Sequence, residues 1–176
     1  MNVEAMPEDR FWTLIEQSLP LNEDQAKRLT AVLETLPCEE KQAFYLRFNG
    51  VHRAAYRWDI WAAAYLYGGG CSDDAFMDFR CGLIGLGKQA YEAVLRHPDD
   101  LVEYVQEQPE ETLFHEQFGY VPFLVLKDSG CPEPPLNEIF AAPRNADGDA
   151  PEWDFDDEAE MQQRFPRLSE FVEAHP

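Results

Sequence analysis

The chain has 176 residues, of which 34 are acidic and 14 basic, and its formal net charge is −20 at pH 7. This charge argues against binding to nucleic acid, whose phosphates require lysine and arginine, and against binding to an anionic membrane surface. Because 45% of the residues are hydrophobic and 13% aromatic, the chain is able to bury a core as one domain and is not expected to be disordered.

Apolar residues at helical spacing predict three helices in the first part of the chain. The first covers residues 8–19, and Asn22 is a suitable N-cap for the second. The third follows Pro37 and is long, because apolar residues recur as far as Leu66. The pair Asn49-Gly50 is the expected place for a kink or a break in this third helix.

The stretch GGGCSDDAFMDFR, residues 68–80, resembles a ligand site at first sight but also reads as the junction of two helices. Glycine ends a helix without strain because it adopts left-handed backbone angles. Ser72 is then the N-cap of the next helix, and Asp73 and Asp74 lie in its first turn, where the helix dipole favours negative charge. The stretch therefore predicts a helix end, a turn and a new helix.

Two short helices are predicted next, at residues 88–96 and 98–107. Residues 118–126, FGYVPFLVL, are strongly apolar. They fit a strand or a short buried helix, and Pro122 leaves the choice open.

The chain after residue 129 is rich in proline and acidic residues, apart from a helix expected within residues 156–173. The predicted fold class is mostly α, a single compact helical domain with an irregular C-terminal segment. Residues 1–128 are expected to form the helical core. Residues 129–176 are expected to form an acidic segment that packs on the core or wraps around it, with a short terminal helix.

Negative charge is concentrated in this C-terminal part. Residues 1–100 have 16 acidic and 10 basic residues, whereas residues 101–176 have 18 and 4. Two interpretations follow: an acidic face that binds a basic partner, or a solvated and partly mobile tail. The candidate binding residues are Asp154, Asp156, Asp157, Glu158 and Glu160.

Two charged residues fall on apolar helix faces. At about 100° per residue, Asp59 shares a face with the core residues of the third helix, and Arg80 projects to the apolar side of the next one. Because a lone buried charge is costly, Asp59 and Arg80 are expected to pair, with His52 and Tyr56 in the same network. Such a network is either a buried ion pair that fixes helix register or a polar pocket with a chemical role.

Residues near the glycines have weaker catalytic interpretations. Cys71 lies near a helix N-terminus, which favours a nucleophilic thiolate, but Asp73 and Asp74 oppose that charge. Asp73, Asp74 and Asp78 fit a divalent-metal site, although Asp74 and Asp78 also suit an exposed helix surface. Asp73 and Asp74 complete the polar network in its pocket interpretation. No catalytic, metal-binding or cofactor motif appears in the sequence, so no catalytic residue, metal or cofactor is predicted.

The cysteines and the N-terminus predict a cytoplasmic location. The four cysteines form no CxxC pair, and the start lacks the basic and apolar regions of a signal peptide. No apolar run approaches the roughly 20 residues that a membrane span requires. The expectation is therefore a reducing compartment and four free thiols.

Three stretches together resemble the bacterial domain-of-unknown-function 4240 family: FWTLIEQS, the string from AAYRWDIW to QAYEAVL, and PDDL. The resemblance covers about residues 9–125. The matching positions are Tyr56, Arg57, Trp58, Asp59, Trp61, Gly70, Cys71, Ser72, Asp73, Asp74, Phe76, Phe79 and Arg80. The resemblance implies a compact bacterial intracellular domain and no catalytic residue. Cys81-Gly82 departs from the larger residues of the family at this place, which puts the packing there in question.

Two functions from different classes remain. The first is a non-enzymatic interaction protein, of the bacterial cytoplasmic immunity or antitoxin type, that binds and neutralises a basic toxin. The alternative is a small enzyme or ligand-binding domain with a polar Asp/Arg pocket. The two differ in whether Asp59 and Arg80 line an open cleft or lie in a closed core.

Overall fold

A computed structural model describes residues 3–106, 110–136 and 152–175. Within these ranges it contains helices and no strand, which confirms the predicted mostly α fold class. In chain order these are α1 (Glu8–Glu16), α2 (Gln25–Glu34), α3 (Cys38–Ala54), α4 (Trp58–Tyr67), α5 (Asp73–Gly85), α6 (Lys88–Arg96), a 3-10 helix (Pro98–Leu101), α7 (Val102–Val105), α8 (Glu110–Leu113), α9 (Glu116–Asp128), α10 (Glu158–Arg164) and α11 (Pro166–Ala174).

The long helix expected after Pro37 is two helices, and the expected position of the break is wrong. Gly50 lies inside α3, where the side chain of Asn49 donates to the backbone oxygen of Tyr45 at 2.8 Å. The helix ends instead at Ala54, and Arg57, whose extended backbone has φ −133° and ψ 150°, precedes α4. Because Gly50 is exposed, it costs only helix propensity, which the packed face of α3 offsets.

The junction predicted in the triple-glycine stretch is confirmed. Gly69 and Gly70 have φ values of 61° and 129°, a conformation that side chains disfavour. Ser72 is the N-cap of α5 and accepts a hydrogen bond from the backbone N–H of Ala75 at 3.3 Å. Asp73 begins the helix.

The apolar stretch with Pro122 is part of a helix, α9, which packs against α2, α3 and α5. Its inner face buries Phe118, Val121, Val125 and Leu126. This burial offsets the hydrogen bond that a proline inside a helix cannot make. The helix alternative for residues 118–126 is therefore the correct one.

The small residues at Cys81-Gly82 match a close approach between helices. A Cβ atom on Gly82 would lie 1.8 Å from the backbone oxygen of Leu113. One on Gly119 of α9 would lie 2.5 Å from Sγ of Cys81. Neither Gly82 nor Gly119 therefore has room for a side chain. The small residues at Cys81-Gly82 allow α5 to pack closely against α8 and α9.

A disulfide joins Cys38, at the start of α3, to Cys131, just after α9. Lys41 donates to the hydroxyl of Ser129 at 2.8 Å, and Tyr45 donates to Glu133. The expectation of four free thiols is therefore wrong for this pair, while Cys71 and Cys81 are free. No local sequence pattern indicates this pairing, because 93 residues separate the two cysteines.

Residues 152–175 lie against the helical core. The ring of Phe155 packs on Trp58 with 4.6 Å between centroids and on Tyr65 with 5.3 Å. The buried carboxylate of Asp99 accepts hydrogen bonds from the backbone N–H groups of Arg167 and Leu168 at the start of α11. The part of the predicted irregular segment at 137–151 lies outside the described residues.

Candidate functional site

The predicted polar network is centred on Arg80, a residue only 6% exposed. Its guanidinium lies between two aromatic rings, 4.6 Å from the centroid of Tyr56 and 4.8 Å from that of Phe76. Its Nη1 atom donates to the backbone oxygen of His52 at 3.1 Å, and its Nε atom donates to the backbone oxygen of Phe76 at 3.3 Å. The network brings together Arg80, His52 and Tyr56, as expected.

Asp59 does not belong to this network, so the predicted pair with Arg80 is wrong. Both carboxylate oxygens of Asp59 instead accept from Arg57, at 3.0 and 2.5 Å. One of them also accepts from the backbone N–H of Ile60. Arg57 in turn donates to the backbone oxygen of Leu95. The prediction places Asp59 on the apolar face of one continuous helix, whereas the break before α4 rotates Asp59 away from that face.

Arg80 has no carboxylate partner among the described residues, and other groups stabilise its charge. The oxygen of His52 belongs to the last turn of α3, at the negative end of the helix dipole. The faces of Tyr56 and Phe76 add cation–π attraction. Burial is the main cause that lowers the pKa of Arg80 to about 10, which leaves it charged at neutral pH.

His52 is neutral in this arrangement. Burial, and then the charge of Arg80, lowers the pKa of His52 to about 4. Its Nδ1 atom accepts from Nη1 of Arg80 at 3.3 Å, and its Nε2–H donates to the backbone oxygen of Met77 at 3.0 Å. These contacts use both ring nitrogens, so the imidazole orients Arg80 and is not free to exchange a proton with a ligand.

The remaining candidates for a chemical role do not join the network. Asp73 and Asp74 are exposed at the start of α5. Burial raises the pKa of the Cys71 thiol to about 12, which opposes nucleophilic use. Among the described residues, no three or more His, Cys, Asp and Glu side chains are grouped so that they could hold a metal ion, and the metal interpretation of Asp73, Asp74 and Asp78 is therefore dropped.

A shallow cleft between α1 and α6 does not contain the network either. Its lining includes Glu16, Lys88, Glu92 and Arg96. Lys88 forms ion pairs there with Glu92 at 3.8 Å and with two acidic residues of α1. Lys88 and Glu92 of this cleft therefore already have partners within the protein.

The five acidic candidates near the C-terminus, Asp154, Asp156, Asp157, Glu158 and Glu160, are here called the acidic face. Four are exposed and Glu160 is partly buried. Asp157 is the N-cap of α10 and accepts from the backbone N–H of Glu160 at 3.1 Å, while Asp156 accepts from the hydroxyl of Tyr65. Only Glu160 forms an ion pair among the described residues, with Arg164. The face is therefore ordered and still carries uncompensated negative charge.

An exposed apolar surface on α9 was not predicted from the sequence. Tyr120, Phe123 and Leu124 are among the few large hydrophobic residues that remain exposed in the described part of the chain. They are here called the apolar stripe. The signal was present in FGYVPFLVL, which has more apolar residues than one buried face of a helix requires.

Comparison with known proteins gives one finding and two negative results. Residues 6–126 match the family described as a protein of unknown function (DUF4240). No curated protein matches the chain, and no solved structure matches it. In the described part of the chain, none of the helices has the length and apolar character that crossing a membrane requires.

Proposed function

The chain belongs to the DUF4240 family, whose description assigns no activity, and from this premise we propose that it is a non-enzymatic interaction protein whose acidic face binds a basic protein partner. In its specific form, the proposal is a bacterial cytoplasmic protein of the immunity or antitoxin type. The partner is then a basic toxin, and binding blocks the toxin's functional surface.

The single observation that carries the proposal is the ordered acidic face. Phe155 packs on Trp58 of α4, and the indole N–H of Trp58 donates to the backbone oxygen of Trp153 at 3.2 Å. Asp154 directly follows Trp153 in the chain, and Asp156 directly follows Phe155. A fixed set of carboxylates loses less conformational entropy on binding than a mobile tail and steers a basic partner during approach.

The enzyme alternative has less support. It required Asp59 and Arg80 to meet in an open cleft, but Asp59 pairs with Arg57 and Arg80 is almost completely buried. The contacts of Arg80 are those of a residue that holds α5 against the end of α3.

The test compares two variants that each remove three negative charges. The face variant combines Asp154→Asn, Asp157→Asn and Glu158→Gln. Asparagine also caps helices, so α10 is expected to persist. The wild-type chain, the face variant and a control variant are each used to capture partners from the native cell at low and high salt. Binding of the adjacent gene's product is measured directly by calorimetry.

The control variant combines Glu23→Gln, Glu34→Gln and Glu39→Gln, exposed positions in the N-terminal part of the chain. The face variant is expected to weaken binding of the basic partner about tenfold, since each lost charge contact contributes roughly 0.5 kcal/mol. The control variant is expected to change the affinity by less than about twofold. Equal losses in the two variants, or the absence of any basic partner, would refute the proposal.

A further inference from the structure

The apolar stripe is a row of exposed side chains on one side of α9. Tyr120, Phe123 and Leu124 are 55%, 39% and 43% exposed, at the spacing that places residues on one helix face. The opposite face of the helix is fixed against α2, α3 and α5. The stripe is thus presented on a rigid element, and no described part of the chain covers it.

Carboxylates lie at the N-terminal end of the stripe. The hydroxyl of Tyr120 donates to Glu116 at 3.2 Å. Burial, and then the charges of Glu116 and Asp74, raise the pKa of Asp78. Asp74 and Asp78 lie one turn apart on α5, and the backbone N–H of His115, the residue before Glu116, donates to the backbone oxygen of Asp78 at 3.1 Å, so these three acids are neighbours. They are here called the acidic cluster. None of the three forms an ion pair with a lysine or arginine of the described residues.

We propose that the apolar stripe and the acidic cluster together bind an amphipathic, basic helix of a protein partner. Apolar side chains at helical spacing on that helix would cover Tyr120, Phe123 and Leu124, the mode by which one helix lies along another. Its lysine or arginine residues would reach the acidic cluster. This proposal shares with the proposed function only the expectation of a basic protein partner, which here follows from the acidic cluster, a set of residues separate from the acidic face.

Charge complementarity selects this occupant over a second copy of the chain. Two chains of net charge −20 that met through this surface would bring their acidic clusters together. Like charges across an interface oppose association, whereas a basic helix removes the repulsion among Asp74, Asp78 and Glu116.

The probe is a synthetic peptide of about 14 residues, which as a helix spans roughly the length of the 13-residue α9. Leucines occupy one helical face and lysines the other positions. A second peptide has the same composition in an order that gives no apolar face. Amide shifts in nuclear magnetic resonance spectra locate the bound peptide, and fluorescence anisotropy measures the dissociation constant.

The expected result has three parts. The largest amide shifts fall in α9 and the acidic cluster, and the reordered peptide binds at least about tenfold more weakly. Phe123→Gln combined with Leu124→Gln also weakens binding about tenfold or more, since two apolar contacts of roughly 1 kcal/mol are lost. Leu19→Gln, at an exposed apolar residue outside α9, leaves the affinity unchanged. All of these positions are exposed, so circular dichroism should show a preserved fold.

Three outcomes would overturn the proposal. The first is equal binding of the two peptides, and the second is a set of shifts confined to the acidic face. The third is self-association of the wild-type chain that the change at Phe123 and Leu124 abolishes, which would make a second copy the occupant. Failure of the capture experiment with the face variant would leave these results intact, so the two proposals fail separately.

Discussion

The charge of Arg80 is held by the backbone oxygen of His52, which lies 3.1 Å from its Nη1 atom. The oxygen belongs to the last turn of α3, so the guanidinium caps the C-terminus of one helix while its own Cα belongs to another. A helix end and two aromatic faces replace the carboxylate that a buried arginine ordinarily requires.

Double-mutant cycles should separate the true partner of Asp59 from the expected one. Arg57→Gln with Asp59→Asn should show a coupling energy of about 1 kcal/mol or more, because the two side chains share paired hydrogen bonds. Arg80→Gln with Asp59→Asn should couple by less than about 0.5 kcal/mol. Urea unfolding measures both cycles, and a large coupling in the second would restore the pair predicted from sequence.

Stability should fall in acid through His52. Its pKa is about 4 in the folded chain and near 6.5 when unfolded, because burial and Arg80 disfavour the charged ring. As the pH falls from 6.5 towards 4, the unfolded state takes up a proton that the folded state does not, and the free energy of unfolding decreases. The slope from this residue approaches about 1.4 kcal/mol per pH unit.

The measurement is the difference between wild type and His52→Gln in unfolding free energy, followed from about pH 7 to about pH 4.5. Other titrating groups contribute equally to both proteins and cancel. A difference that stays constant across this range would show that His52 titrates alike in both states.

Two glycines in helices should respond in opposite ways to alanine. Gly82→Ala should lower the free energy of unfolding by about 1–3 kcal/mol or more, because its Cβ would meet the backbone oxygen of Leu113. Gly50→Ala should raise it by about 0.5–1 kcal/mol, since no atom outside the local helix backbone lies within 4 Å of the added Cβ. Urea unfolding of the two variants tests the helix contact, and equal effects would contradict it.

Asp99 should be more important than its neighbour for docking of α11. Asp99→Ala leaves the backbone N–H groups of Arg167 and Leu168 without an acceptor in a buried place, which should cost about 1–3 kcal/mol. Asp100→Ala removes an exposed ion pair with Arg167 and should cost less than about 1 kcal/mol. Hydrogen exchange in residues 166–174 should quicken in the first variant only.

The disulfide between Cys38 and Cys131 should stabilise the fold, and its oxidation state in cells tests the proposed cellular location. Cys38→Ser with Cys131→Ser should lower the free energy of unfolding by about 2–4 kcal/mol, because the bond closes a long loop. Reductant should affect wild type and Cys71→Ser alike and leave the double variant unchanged. Alkylation in intact cells adds a second test, since finding the pair oxidised there would argue against the proposed cytoplasmic location.

Local patterns predicted the helices well, because they depend on residues close in the chain. The turn at Gly69 and Gly70 and the cap at Ser72 were read from a few adjacent positions. Pro122 in α9 is the ambiguous case, because only burial against three helices decides between strand and helix.

The site was predicted in part, and its errors share one cause. Arg80 and His52 meet as expected because each lies inside a continuous helix, α5 or α3, and Tyr56 follows the end of α3 closely enough to join them. The predicted partner of Asp59 was wrong because the helix is interrupted over residues 55–57, ending with the extended Arg57, which changes the helical phase of the residues that follow. The bond between Cys38 and Cys131 depends on how distant helices pack, which helical periodicity does not contain.

The packing of Phe155 on Trp58 shows that the folded unit extends beyond the residues that match the family. The family match ends at residue 126, yet α4 obtains part of its cover from residues that follow position 152. A chain cut at the end of the match would present Trp58 and Tyr65 to solvent as an adhesive aromatic surface. The C-terminal residues therefore cover an aromatic surface of the core. A truncated protein that keeps these residues should stay monodisperse, whereas one that lacks them should aggregate.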